Sequence, residues 1–351
     1  MFRSTAWRLF RGCERSWAPF STRAWYEMLK ERGLGKPMAE SSGRESILGP
    51  KRPLGRENLL RLLAASVVHR DDGLVALSKP PGLPVTGKPE DLTLLSLLPD
   101  LSQNLGLPQD LQVIKAAQKE SSGLVLLSGC PSTFQRLRDF YIKNQRAKRP
   151  TASYCAVTTR IPAALEGEIR TGLKLMQIED FDLVVPMASP SRNSIERREV
   201  KNTLTLYKVL DSCNGCALLR LQPLSAFPSQ LPVHLTLILS PVLGDHVYSS
   251  RVGTVLGEPF LLPAETTLPR IQVLEDPLLR KLHLQQQLVH RVPLHLHLHQ
   301  LLLPATGSST SRPVLTAPPP AFFLQTLSLL GLDLPQDKQG GEMPKVFAPA
   351  Q

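Results

Sequence analysis

Residues 115–128, KAAQKESSGLVLLS, set an amide, a lysine, a carboxylate and two hydroxyls in a row ahead of an apolar run. A polar loop emptying into a buried strand is a place where a fold can hold a ligand, and Gln118, Lys119, Ser121 and Ser122 can all bond to one. Loop chemistry more often uses a carboxylate where Gln118 stands. Its amide is neutral and can neither attack nor take a proton at neutral pH. His295, His297 and His299 alternate along a strand-like run and share one face at intervals of about 6.5 Å. Three such imidazoles could hold a metal, but no carboxylate or cysteine adjoins them, and structural or solvent-facing histidines fit the pattern better. Cys213 and Cys216 have zinc-knuckle spacing without a second pair nearby, and the Asn214-Gly215 between them reads as a tight turn. Neither a metal nor any other cofactor is expected. Lys143, Arg146, Lys148 and Arg149 form a cluster without an acid, either a solvated helix end or a set of phosphate contacts.

Elements must position these groups. Val67–Val68 and Leu74–Leu77 read as strands on either side of an Asp71-Asp72-Gly73 turn, with Pro80-Pro81-Gly82 as a stop. Residues 132–145 carry Phe134, Leu137, Phe140 and Tyr141 on one helical face. Strand-like runs follow at 153–159, 203–210, 216–222, 233–239 and 294–303, and a helix at 320–331. Many strands with few helices imply an α+β domain with a mixed, largely antiparallel sheet. The expected divisions are a leader at 1–25, a linker at 26–60, a domain at 61–333 and a disordered tail at 334–351.

The chain has 351 residues, 42% of them hydrophobic, which is enough to bury a sizeable core in one large domain or two lobes. No run approaches the roughly 18 apolar residues of a membrane span. Five cysteines without a framework suit a reducing compartment. Residues 1–25 hold Arg3, Arg8, Arg11, Arg15 and Arg23 against Glu14, with Phe2, Ala6, Leu9, Phe10, Cys13 and Trp17 at roughly helical spacing. That is the composition of a mitochondrial transit peptide, and the matrix is the expected location. The leader holds five positives and one negative, so removing its net +4 from +11 leaves +7. The excess charge calls for an anionic partner, RNA first.

The same segments, in order, resemble the large-subunit-rRNA-type (RluA-like) pseudouridine synthases. The 115–128 run is similar to the family's H-R-L-D-x-x-T-S-G-L-L-L-L loop, and Asp71-Asp72 with Leu77–Leu83 to its D-D-x-x-x-x-x-N-K-P-x-G-L motif. Ser153–Val157 resembles its K-x-Y-x-A-x-V strand. Lys201–Leu210 resembles its strand with threonine and tyrosine. Leu243-Gly244-Asp245-His246-Val247-Tyr248 is similar to its L-G-D-x-x-Y turn, Leu294-His295 and Pro304 to its L-H-A and later proline, and Ala317–Pro320 to its closing segment. Coverage runs from about 67 to 333.

The resemblance implies a pseudouridine synthase fold of two lobes flanking an RNA-binding cleft. It implies a partner in mitochondrial mRNA or rRNA, with other mitochondrial RNA-processing proteins as further candidates. The implied reaction flips out a uridine, breaks its N-glycosidic bond, turns the base and rejoins it through carbon. The family does this with an aspartate paired to an arginine, and with a tyrosine that stacks on the base. Matched residue by residue, Gln118 stands at the aspartate, Lys115 at the loop histidine, and Phe227 and Pro232 at the two arginines of T-G-R-T-H-Q-I-R-V-H-L. Ala152 stands at the lysine of K-x-Y. Glu120 or Asp245 could supply a carboxylate only from another position. The residues implied at the RNA are Lys79, Lys119, Ser121, Ser122 and Tyr154, together with the basic cluster. Two readings stay open: an isomerase with unusual residues, and a factor that binds RNA for rRNA stability, ribosome assembly or translation without altering it.

Overall fold

The computed structural model describes residues 47–49, 54–71, 73–88, 90–305 and 312–335. The expected leader, most of the linker, nearly all of the tail and Asp72 of the first turn lie outside them. The packed structure begins earlier than residue 61. Ile47 is fully buried, and α1 (Arg56–Ala65) straddles the expected boundary. Its Leu59 and Leu63, four apart, bury one face together with Leu94, Leu97 and Leu101 of α2 (Leu94–Leu105). Thr93 opens α2 with a capping box to Ser96.

β1 (Val67–Asp71) and β2 (Leu74–Lys79) form the expected hairpin. β3 (Gln112–Ala116) and β4 (Ser122–Ser128) pair antiparallel across the 117–121 loop. β4 is buried along its whole length because its faces serve two cores, Leu124 and Leu126 in one and Val125 and Leu127 in the other. Next come α3 (Pro131–Arg146), β5 (Ala152–Thr158), the hairpin of β6 (Glu166–Ile178) and β7 (Phe181–Met187), and the short α4 (Arg192–Glu196). β8 (Lys201–Cys213) and β9 (Cys216–Pro223) meet at Asn214-Gly215, both at positive φ, so the two free cysteines flank a turn as expected.

The run at 233–239 is a helix, not a strand. In α5 (Gln230–Leu237) every residue from Gln230 to Thr236 is buried, and Val233-His234-Leu235-Thr236-Leu237 alternates apolar and polar as a strand would, so the helix has no solvent-facing polar side to reveal it. Thr236 Oγ1 donates to the Pro232 carbonyl four residues back, a helical bond. β10 (Val252–Val255) and β11 (Glu258–Leu261) form a separate small hairpin, and α6 (Asp276–Lys281), β12 (Leu296–Leu302), β13 (Val314–Thr316) and α7 (Ala321–Leu330) complete the domain.

Eleven strands form one sheet in the order β1-β2-β4-β12-β5-β9-β8-β6-β7, with β3 added to β4 and β13 to β12. The result is the expected α+β architecture with a largely antiparallel sheet. Among the described residues the one parallel contact between strands is β4 on β12, confined to Ser122-Gly123 against His297-Leu298. Past that contact β3 takes the edge of β4 and β13 the edge of β12, so the sheet forks. Gly123 sits at the crotch with φ +116, and a Cβ there would lie 2.4 Å from the Leu298 carbonyl oxygen. Among the described residues no helix is long and apolar enough to cross a membrane.

Candidate functional site

The 117–121 loop emerges at the crotch of the fork, where β12 blocks β3 from following β4 any further. Its backbone is tied at several points. Ala117 N–H donates to Leu124 O, Ser121 N–H to Gln118 O at 3.1 Å, and Gly82 N–H to Lys119 O at 2.8 Å. From below, Lys79 Nζ donates to the carbonyls of Pro80, Lys119 and Ser121 at 2.9, 3.0 and 2.9 Å. Lys79 is 1% exposed. Burial pulls its pKa down to about 7, whereas three carbonyl acceptors suit only the ammonium form.

Four of the residues expected at RNA are buried in this structure. Lys79 spends all three N–H groups on the loop. Ser121 and Ser122 are buried. Ser122 Oγ lies 2.9 Å from His297 Nδ1, whose Nε2 faces the Ala317 carbonyl at 3.0 Å. A carbonyl only accepts, so Nε2 carries the proton and Nδ1 accepts from the serine. Tyr154 packs in the central core beside Leu124 and Leu298, and burial pushes its pKa up to about 12.

Gln118, Lys119 and Glu120 point outward, and all three are exposed. Gln118 Nε2 reaches the Phe227 carbonyl at a long 3.4 Å. The fold thus brings together the two segments matched to the family's aspartate and arginine motifs, 109 residues apart in the chain. The facing segment is held from its other side by Lys201, whose Nζ donates to Ala226 O at 2.9 Å. Lys201 was not singled out from the sequence, because a lysine at a strand's start gives no sign of the backbone it will meet. The geometry places an amide against a carbonyl here, with no carboxylate between them. Glu120 pairs with its neighbour Lys119 at 3.5 Å. To stand where Gln118 stands it would have to slip the loop by two residues and break the bonds from Lys79 and Gly82. Asp245 is the turn residue expected. Its Oδ1 accepts from the backbone N–H groups of Val247 and Tyr248 at 2.9 Å each, and burial raises its pKa to about 6.

The three alternating histidines are structural. His295 Nδ1 donates to Pro293 O at 2.8 Å, and its Nε2 meets Thr326 Oγ1 at 2.8 Å. His299 Nδ1 donates to Ala317 O at 2.7 Å. No group of three or more possible ligands that could hold a metal occurs among the described residues. Lys143, Arg146, Lys148 and Arg149 are all exposed at and just beyond the end of α3. Lys115, partly buried on β3, holds its Nζ 5.0 Å from the Tyr141 ring centre, and burial lowers its pKa to about 8.

Residues 73–237 match the family model described as RNA pseudouridylate synthase. The chain is 56% identical over 282 residues to the mitochondrial mRNA pseudouridine synthase RPUSD3 of Homo sapiens, covering 80% of each chain. It is 33% identical to the mitochondrial pseudouridylate synthase RPUSD4 of Mus musculus, covering 80% of this chain and 73% of that one. In structure it is similar to human RNA pseudouridylate synthase domain containing 4, with a TM-score of 0.63 at 27% identity, over 80% of this chain and 98% of the other. On this match and these identities the chain belongs to the RNA pseudouridylate synthase family.

Proposed function

We propose that this chain acts on mitochondrial messenger RNA, presenting a uridine to the 117–121 loop for isomerisation to pseudouridine. The names and identities of its relatives, its net charge of +11 and an Arg-rich leader suited to import into the matrix support this reading. The observation that carries it is the loop itself. It is built as a fixed, outward-facing platform against the 225–229 segment, with Lys119 exposed beside it. Mitochondrial RNA-processing proteins that share the same transcripts are its further partners.

A second reading rests on one residue. Gln118 is neutral, so it can position a base through hydrogen bonds but can neither attack the ribose nor remove a proton from it. In this reading the chain binds mitochondrial RNA, supporting rRNA stability, ribosome assembly or translation, and changes no base.

One experiment separates the two: nucleotide-resolution pseudouridine mapping of mitochondrial RNA from cells lacking the protein, with wild type or Gln118→Ala added back. A site lost in the knockout and restored by wild type supports isomerisation. Equal restoration by Gln118→Ala assigns the chemistry to another group. If no site changes while crosslinked RNA falls in abundance, the second reading stands. Absence of both effects and of any RNA crosslink overturns the two together.

A further inference from the structure

The mouth of the fork is closed by α3, and the residues that close it are cations set against aromatic rings. Tyr141 Oη donates to Leu302 O of β12 at 3.1 Å, while Lys115 of β3 reaches the same ring from the other branch. Beside it Phe140 packs edge-on to Tyr141 with ring centres 5.4 Å apart, and the guanidinium of Arg312, just ahead of β13, lies 5.8 Å from the Phe140 ring. The helix then ends in Lys143, Arg146, Lys148 and Arg149. Lys148 occupies a left-handed position, φ +50, where glycine is the unstrained choice for ending a helix. Between Pro131 and Arg149 the chain has six bases and one acid, Asp139. Basic residues at a helix C-terminus also complement its dipole. That effect falls off within one turn and does not account for Arg312 or Lys115, which arrive from other elements.

Among the described residues none of Lys115, Lys143, Arg146, Lys148, Arg149 and Arg312 is in an ion pair, although exposed bases elsewhere are, such as Arg56 with Asp100 and Arg192 with Glu196. An unpaired row of cations flanked by aromatic rings matches the charge of a phosphodiester backbone. α3, through Leu137 and Tyr141, and α5, through Leu231 and Leu235, pack into the same core cluster as Ala117 at the base of the loop.

We propose that the exposed end of α3, Lys143, Arg146, Lys148 and Arg149, together with Arg312 over the Phe140 ring, is a docking surface for the RNA backbone outside the loop. It rests on the reading of the chain as an RNA-binding family member and adds to that reading where the strand runs. This surface sets affinity and salt dependence, and the loop sees the base. Because its contacts go to phosphate, it binds single-stranded RNA with little regard to sequence.

The test uses the full chain and a fluorescein-labelled single-stranded RNA containing uridine, with the dissociation constant measured across a salt series. Replacing Lys143, Arg146, Lys148 and Arg149 with Gln together lowers affinity about tenfold or more and flattens the log–log salt slope by about three units. Arg312→Gln flattens it by about one unit. A control replaces four exposed bases elsewhere, Arg61, Arg192, Arg197 and Arg198, with Gln, and changes both quantities far less. Melting curves confirm that each variant is folded. If wild type binds RNA and the α3 variants match it, or if the control falls equally, the docking surface is overturned and the proposed function stands. If wild type does not bind RNA, both fall. Retained RNA binding with loss of an acidic protein partner also overturns it.

Discussion

Enclosed beside three carbonyl oxygens, the Lys79 ammonium has a partner for each of its N–H groups, and those partners are the backbone of the loop that carries Gln118. From residue type alone a lysine in an RNA-binding family reads as a phosphate contact, and only its burial shows that it is a strut. The two roles respond differently to Lys79→Met, which keeps the aliphatic stem and removes the donors. Three hydrogen bonds are lost, although Lys119 O keeps the Gly82 N–H, and the loss costs on the order of 3 kcal/mol, so the melting temperature falls by about 6–10 °C. The salt slope of RNA binding by the variant that remains folded stays that of wild type, because no phosphate contact is lost. A flattened slope with unchanged melting would return Lys79 to the RNA surface. The same distinction applies to Tyr154, whose family position suggests a stacking ring and whose surroundings are core.

At the scale of elements β1, β2, β4, β5, β8, β9 and β12 and the helices at 132–145 and 320–331 were legible, whereas the long β6–β7 hairpin and the short β3, β10, β11 and β13 were not. Alternation and turn residues place β5, β8, β9 and β12 within two or three residues, and the helices at 132–145 and 320–331 within one. The α5 segment was not, because Val233-His234-Leu235-Thr236-Leu237 alternates like a strand while complete burial removes the polar face that would reveal a helix. Nor was the fork legible, since nothing local to β4 or β12 says that they touch over two residues and then part. One residue does encode it. Gly123 has both a left-handed φ and no room for a Cβ against Leu298. Gly215, in the β8–β9 turn, also has a positive φ, +77, but open space around it. Gly123→Ala therefore costs more than about 3 kcal/mol, through backbone strain and the separation of β4 from β12, while Gly215→Ala costs only about 1 kcal/mol. Urea midpoints of the two variants measure the difference. Similar losses would mean that the crotch can open without unfolding the sheet.

Across the whole molecule three buried imidazoles link the central strand, the closing helix and α5 to pH. His297 bonds to Ser122 at the crotch, His295 to Thr326 of α7, and His234 to Thr203 of β8. Burial lowers their pKa values to about 3, 4 and 4. They stay neutral in the fold but take up protons in the unfolded chain near the ordinary value of 6.5. Below that pH the unfolded state binds more protons, so stability falls as pH drops from 6.5 toward those folded values. Each histidine contributes a loss of about 1.4 kcal/mol per pH unit, or about 4 kcal/mol for the three between pH 7 and 5.5. Asp245 works in the opposite direction. Its folded pKa is raised to about 6, so it is protonated more readily in the fold and offsets about 1 kcal/mol of that loss. A net loss of about 3 kcal/mol is therefore expected, seen as a lower urea midpoint at pH 5.5 than at pH 7. His297→Gln lowers the midpoint at both pH values and removes about a third of the histidine-linked loss, because the variant has one fewer group to protonate on unfolding. Equal midpoints at the two pH values would show that these imidazoles are protonated to the same extent in both states. The bonds from His297 to Ser122 and from His295 to Thr326 would then not hold the fork in its neutral form.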